Sequence, residues 1–373
     1  MLPECGAQRV VHIVAGTGGL AWFTLLWPPP ALITEPKATY AYDDPTKAPF
    51  VSGATAEHPL YARSVDGHPL LQGVGTKPSV TAFVVGTNET HTPNPTSAIT
   101  LASGASVIPT GAVAQKVLTP TFAVLAFAGA AYGTATGAPN PLSVADLDGA
   151  IGVMKGQVTP AEEQGLRAPS ATLDGWGAGQ DPLRIDLARK LFFTAHAFEL
   201  GLLGTIIIPA VANDPHGAFA TVGPATTMAD GLARMIEGFY LELAKMKEPR
   251  CGHNGAPLSL ADNVVLIVSG DTPKDSFNSN GWPDGTTANY NLLYVRSNGW
   301  LTPGWFGQVS PLGKADFSPT TGQQVSPSTP ASSASARNGA LGGVLHAISR
   351  GNAAFVNLSG VGACQGVLAP TAP

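Results

Sequence analysis

Apolar residues along this chain follow two rhythms. Short, β-branched and almost continuously apolar runs occur at Arg9–Ala15 (RVVHIVA), 79–85 (SVTAFVV), 122–127 (FAVLAF), 205–211 (TIIIPAV), 263–269 (NVVLIVS) and 291–295 (NLLYV). Runs of this kind predict strands buried on both faces, as in a parallel sheet. The segment 181–203 instead repeats apolar residues at helical spacing through Leu183, Leu187, Leu191, Phe192, Ala195 and Phe198. So does 225–247, through Leu232, Met235, Ile236, Phe239, Leu243 and Met246. Shorter helices are predicted over 20–26 and over 143–154, where Asp146 and Asp148 fall in early turns and suit the helix dipole. A further helix is predicted over 338–349, followed by an edge strand over 353–356. Strands alternating with helices at this spacing require crossover connections. The predicted fold is α/β: a doubly wound, mainly parallel sheet with helices on both faces and long Pro/Gly-rich insertions.

Between the periodic segments the chain is heavily punctuated. From 28 to 77 the pattern gives way to Pro, Gly and Asp, an irregular insertion of a length usually tied to function or binding. The Ser/Pro/Gln-rich stretch 322–337 reads as a linker. It separates a main α/β domain, 1–321, from a C-terminal segment, 338–373, expected to pack back on that domain. No internal repeat is found.

Composition narrows the class. The 373 residues include 44 Gly and 33 Pro, where average usage would give about 26 and 19. Charged residues make up 12%, about half the usual share of roughly 25%. With 44% hydrophobic residues, a disordered polyelectrolyte is excluded, and the lack of a Gly-X-Y period excludes collagen. A net charge of −5 without a basic stripe argues against a nucleic-acid partner. The longest apolar run near the start, 18–27 (GGLAWFTLLW), is half the roughly 20 residues a membrane-spanning helix needs, so no membrane span is expected. The opening Met1-Leu2-Pro3-Glu4-Cys5 carries an acid and no base, unlike a secretory leader. Scarce Lys and abundant Thr, Ser, Ala, Pro and Gly nevertheless predict an exported protein: extracellular, cell-surface or periplasmic. Cys5, Cys251 and Cys364 lie far apart with no C-x-x-C spacing, which excludes a zinc knuckle or a thioredoxin motif. Buried free thiols are expected, with one bridge as the alternative.

In a doubly wound sheet the working residues collect beyond the carboxyl ends of the strands. There the chain carries Gly16-Thr17-Gly18-Gly19, Thr87-Asn88-Glu89-Thr90-His91, Asn213-Asp214-Pro215-His216-Gly217 and Gly270-Asp271-Thr272-Pro273-Lys274. Asp214 and His216 supply one hard and one borderline ligand from one place. Asp271 from an adjacent strand end, with His91 beside them, would complete a site for one divalent metal ion. Such an ion polarises a phosphoryl or sulfuryl oxygen, with Thr17 or Thr272 near the reacting atom. The same Asn-Asp-Pro-His-Gly run is also ordinary turn chemistry, with Asp capping the backbone and Gly taking positive φ. Gly16 to Gly19 form neither a P-loop nor a dinucleotide fingerprint, so no nucleotide cofactor is expected. His12 and His196 read as core histidines, and Cys251-Gly252-His253 as a minor metal candidate. No Gly-x-Ser-x-Gly elbow occurs. Trp282, Trp300 and Trp305, set among Gly and Pro, suit either a sugar platform or interface anchor, or a plug over the sheet edge.

The order of elements from Leu187 to Gly307 resembles the DUF1501 family, exported proteins of the alkaline phosphatase/sulfatase-like superfamily. The likeness rests on the Asp214-Pro215-His216-Gly217 turn, the helix through Gly238-Phe239-Tyr240 and Leu243, and the strand NVVLIVS running into Gly270-Asp271-Thr272-Pro273. The opening strand with Gly18-Gly19 fits as well. The resemblance implies a central sheet with a metal site at the strand ends. This chain departs from the pattern at three places. Ala21 and Trp22 stand where the family has a Ser-His pair, and no carboxylate follows until Glu35. The Glu and Arg that precede Thr-Pro are missing before Thr272, and Asn280-Gly281 replaces an Asp-His pair before Trp282-Pro283. A two-metal esterase of this kind uses about six Asp/His ligands and a nucleophile, and only Asp214, His216, Asp271 and His91 are available here. The expectation is therefore a catalytically degenerate relative that self-associates or binds other surface proteins. A metal-dependent hydrolase of phosphate or sulfate esters and a carbohydrate-binding module are the alternatives.

Overall fold

The computed structural model describes residues 4–15, 80–87, 142–143, 147–148, 151, 158–210, 222–270, 274–275, 289–302, 304–307, 316–325, 329–358 and 362–370. Five of the six apolar runs become strands. β1 spans Arg9–Ala15, β2 Val80–Thr87, β4 Thr205–Ala210, β7 Val264–Gly270 and β9 Asn289–Arg296. With the short strands β3 (Leu142–Ser143), β8 (Lys274–Asp275) and β10 (Gly304–Phe306) they build one sheet in the order β10-β2-β9-β7-β1-β4-β3, with β8 paired to β9. The predicted strand 122–127 and helix 20–26 lie outside the described residues.

The sheet is mixed in direction. β1 runs parallel to β4 and to β7, β3 is parallel to β4, and β10 is parallel to β2. β9 is antiparallel to β2, β7 and β8. Among the described residues β9 alone opposes the others. A strand covered on both faces has the same apolar pattern read in either direction, so the sequence carried no mark of the reversal.

The two long amphipathic segments form α3, Pro182–Glu199, and α4, Val222–Lys245. They follow two short helices, α1 (Pro160–Gly165) and α2 (Ser170–Gly175). α1 opens with a capping box in which the Thr159 side chain accepts from the Glu162 N–H and the Glu162 carboxylate accepts from the Thr159 N–H. The predicted helix 143–154 is helical at 147–148 and 151, but Ser143 belongs to β3. After α4 the chain makes the hairpin β5 (Lys247–His253) and β6 (Ala256–Ser259). Among the described residues no helix is long and apolar enough to cross a membrane.

The C-terminal boundaries are corrected. The expected linker 322–337 contains strand β12 (Gln324–Val325), paired with β11 (Asp316–Phe317), and the first turns of α5, Pro330–Ile348. Thr329 and Ser332 form its capping box and Pro330 occupies its first turn, where no N–H partner is lost. The Ser, Pro and Gln content suggested a linker, yet the stretch carries the start of α5, and small residues further along that helix serve close packing. A Cβ at Gly339 would come within 2.3 Å of Pro319, and one at Gly343 within 2.9 Å of Val367. The predicted edge strand 353–356 is a helix, α6 (Ala353–Leu358), turned back by Arg350 and Gly351 at φ 51° and 80°. Its paired alanines are good helix formers.

Val10, Phe83, Val265, Ile267, Leu293 and Val295 cluster with Ala336, Ala340, Leu341, Val344 and Leu345 of α5. The intervening strand residues Val11, Ile13, Val264, Leu266, Val268 and Tyr294 are buried as well. The guanidinium of Arg9 lies 5.3 Å from the ring centre of Phe198 in α3, and that of Arg296 lies 3.9 Å from Tyr240 in α4.

Candidate functional site

The parallel strands finish level. Ala15 at the end of β1 pairs with Ala210 at the end of β4 on one side and with Gly270 at the end of β7 on the other. Thr87 ends β2 opposite Asn289, the first residue of β9, and Lys274 and Asp275 of β8 pair with Tyr290 and Asn289. One edge of the sheet thus gathers the carboxyl ends of β2, β4, β7 and β1. The sequence candidates Thr17, His91, Asp214, His216, Asp271 and Thr272 follow these ends in the chain and lie outside the described residues. Adjacent strands were expected to lead to Asp214 and Asp271; instead β4 and β7 lie on either side of β1. Strand spacing therefore sets Ala210 and Gly270 about 10 Å apart. Asp275 stands at the same edge, and only its nearness to the end of β7 in the sequence hinted at that.

At the other end of the sheet lies a buried polar network that the sequence pattern did not reveal. Arg9 donates from Nε to Glu248 Oε2 at 2.6 Å and from Nη2 to Glu248 Oε1 at 2.5 Å, and its Nη1 donates to the Leu203 carbonyl. Asn263 Nδ2 donates to Glu248 Oε2 at 2.9 Å, and Arg350 donates to Asn263 Oδ1. Gln8 donates to the carbonyls of Ala347 and Ser297, and Asn298 donates to Gln8 Oε1 and to the Val264 carbonyl. Asn298, at φ 55°, starts the Asn-Gly turn after β9. Every charge here is spent on a neighbour, so the network is a structural clamp between β1, β5, β7 and α5.

His12 is 2% exposed in β1, and burial pushes its pKa down to about 3. It is neutral at ordinary pH, as expected of a core histidine. His196 differs from that expectation, being half-buried between α3 and α4. Its ring centre lies 4.2 Å from that of Phe192, its Nε2 3.4 Å from Glu242 Oε1 and its Nδ1 3.8 Å from Glu199 Oε2. Burial lowers its pKa, and Glu242 and Glu199 act the other way. The two carboxylates face different ring nitrogens and do not converge on one point.

Beside His196 a recess of about 440 Å³ is lined by Trp176, Arg234, Glu237, Leu241, Glu242 and Lys245. Trp176 lies against Gly238, where a Cβ would meet its ring at 2.3 Å. The walls carry equal numbers of acids and bases, and Lys245 pairs with Glu242 at 2.8 Å. This is a solvated helix face with balanced charge. Among the described residues no group of three or more His, Cys, Asp and Glu is placed to hold a metal ion.

Cys5 and Cys251 form a disulfide with Cα atoms 5.0 Å apart, and Cys364 is free and buried. This corrects the expectation of three free thiols and puts Cys251 out of reach as a metal ligand. His253 is exposed and faces Glu4. Trp300 packs over Gly351 and edge-on to His346, partly buried against the α5 cluster. Trp282 lies outside the described residues. No family model matches the chain, and no curated protein or solved structure is found similar to it.

Proposed function

We propose that the chain is an exported, divergent relative of the DUF1501 family within the alkaline phosphatase/sulfatase-like superfamily, and that it acts as a structural or surface-assembly subunit. The observation that carries this reading is the level ending of β4, β1 and β7. Asp214, His216 and Asp271 follow two of those ends, with His91 as the only further ligand singled out, a set too small for two-ion ester hydrolysis. A doubly wound sheet is supported by the burial of both alternating sets of strand residues, one set clustered with α5 and the other alongside contacts to α3 and α4. Export is supported by the Cys5–Cys251 bridge, because disulfides persist in oxidising compartments. Sparse surface charge suits a protein that covers much of its exterior with neighbours.

The test joins metal analysis of protein purified without chelator to sizing by light scattering and electron microscopy. Polymers or rings with no stoichiometric metal are expected. The alternative is a metal-dependent phosphate or sulfate ester hydrolase, favoured by two aspartates that follow strand ends either side of β1. Stoichiometric metal that is lost in Asp214→Ala, together with turnover of an aryl phosphate or sulfate, would establish that alternative and end the assembly reading.

A further inference from the structure

Glu4 and Cys5 form a strap across the β5–β6 hairpin. Glu4 makes a parallel bridge with Gly252, the Cys5 N–H donates to the Gly252 carbonyl at 3.2 Å, and the two cysteine sulfurs are joined. The Glu4 carboxylate clips the hairpin tip: Oε1 accepts from the Asn254 N–H at 2.7 Å, and Oε2 lies 3.3 Å from His253 Nδ1. Asn254 and Gly255 hold the tip in the left-handed region at φ 51° and 78°. Past Ala7 the attachment changes. The Gln8 N–H donates to the Ile348 carbonyl at 2.7 Å, and Arg9 is locked onto Glu248. The strap therefore has an outer part tied to the hairpin tip and an inner part anchored in the core.

We propose that Glu4, Cys5 and the 251–254 hairpin tip form a redox latch, closed by the Cys5–Cys251 bridge and opened locally by a dithiol while the sheet stays folded. A thiolate of the dithiol attacks one bridge sulfur, giving a mixed disulfide and releasing the other cysteine. The second thiol of the reductant then displaces the remaining cysteine. The bridge S–S bond breaks, an S–S bond forms in the reductant, and its two electrons and two protons leave Cys5 and Cys251 as thiols. Cys5 is 8% and Cys251 3% exposed, so attack follows release of the exposed Glu4 contacts. Cys364 belongs to the α5 cluster and takes no part. The latch rests on the bridge and its surroundings and is independent of the assembly reading.

The experiment treats the full chain with dithiothreitol and follows cysteine alkylation and amide hydrogen exchange by mass spectrometry. The oxidised protein should yield a linked Cys5/Cys251 peptide. On reduction, peptides covering 4–7 and 251–254 should exchange about tenfold faster or more, while those from α3 and β7 stay protected. Glu4→Ala should speed bridge reduction about threefold or more without moving the denaturant midpoint. Absence of the linked peptide, unchanged exchange at the latch, loss of protection across α3 and β7 together with it, or an unaltered reduction rate in Glu4→Ala would each overturn the proposal.

Discussion

Arg9 keeps its charge at 0% exposure because every side of the guanidinium meets a partner: two carboxylate oxygens of Glu248, the Leu203 carbonyl and the face of Phe198. Removing water from such a pair is costly, and only full hydrogen bonding of both ions makes it tolerable. His12 solves the same problem by staying neutral. The unfolded chain takes up a proton as the pH falls below about 6.5, while folded His12 resists protonation until about pH 3. Acid therefore favours the unfolded chain, and stability present above pH 6.5 drains away toward pH 3. Moving from pH 7.5 to 4.5 should cost about 3 kcal/mol through this residue. His196 and His346, both lowered by burial, add to it in the same direction. Denaturant titrations at the two pH values should show a smaller difference for His12→Leu than for the wild type, and equal differences would disprove the assignment.

At the scale of elements, α4 illustrates how a local preference yields to packing. Gly238 sits within the helix, where Ala would ordinarily add about 1 kcal/mol. The Trp176 ring occupies the space that its Cβ would need. Overpacking of that kind costs about 1–3 kcal/mol, and Trp176 also packs beside Phe192, with ring centres 6.1 Å apart. Gly238→Ala should therefore lower the unfolding free energy by up to about 2 kcal/mol net, and a stabilised variant in thermal or chemical melts would contradict the contact. Small residues play the same part in α5. Gly339 and Gly343 let Pro319 and Val367 approach the helix axis, and from Gly339 to Ile348 the helix is buried nearly all round. The stretch 322–337 read as a linker because Ser, Pro and Gln dominate it, although Pro330 and the Thr329–Ser332 capping box open α5 there. The striped helices α3 and α4 were legible within a few residues.

Across the whole molecule, the bridge between Cys5 and Cys251 closes a span of 246 residues. A loop of that length restricts the unfolded chain enough to contribute about 3–5 kcal/mol. A Cys5→Ser/Cys251→Ser double variant should show that loss in denaturant midpoint, and a midpoint equal to that of the oxidised protein would deny the bridge a structural role. Which cysteines pair follows from where β1 and the β5–β6 hairpin meet, something spacing along the chain could not express. The same holds for the rim. The sequence by itself determined β1, β2, β4, β7, β9 and the two long helices, because burial imprints apolar runs and a 3.6-residue stripe on whatever chain must form them. It also determined which Asp, His and Thr residues follow the strand ends. Tertiary structure decided the reversed direction of β9, the position of β1 between β4 and β7, the Arg9–Glu248 clamp and the burial of α5. Each of these depends on which surfaces meet across long separations, and a hydrophobic pattern records only that a side chain is covered, not by what.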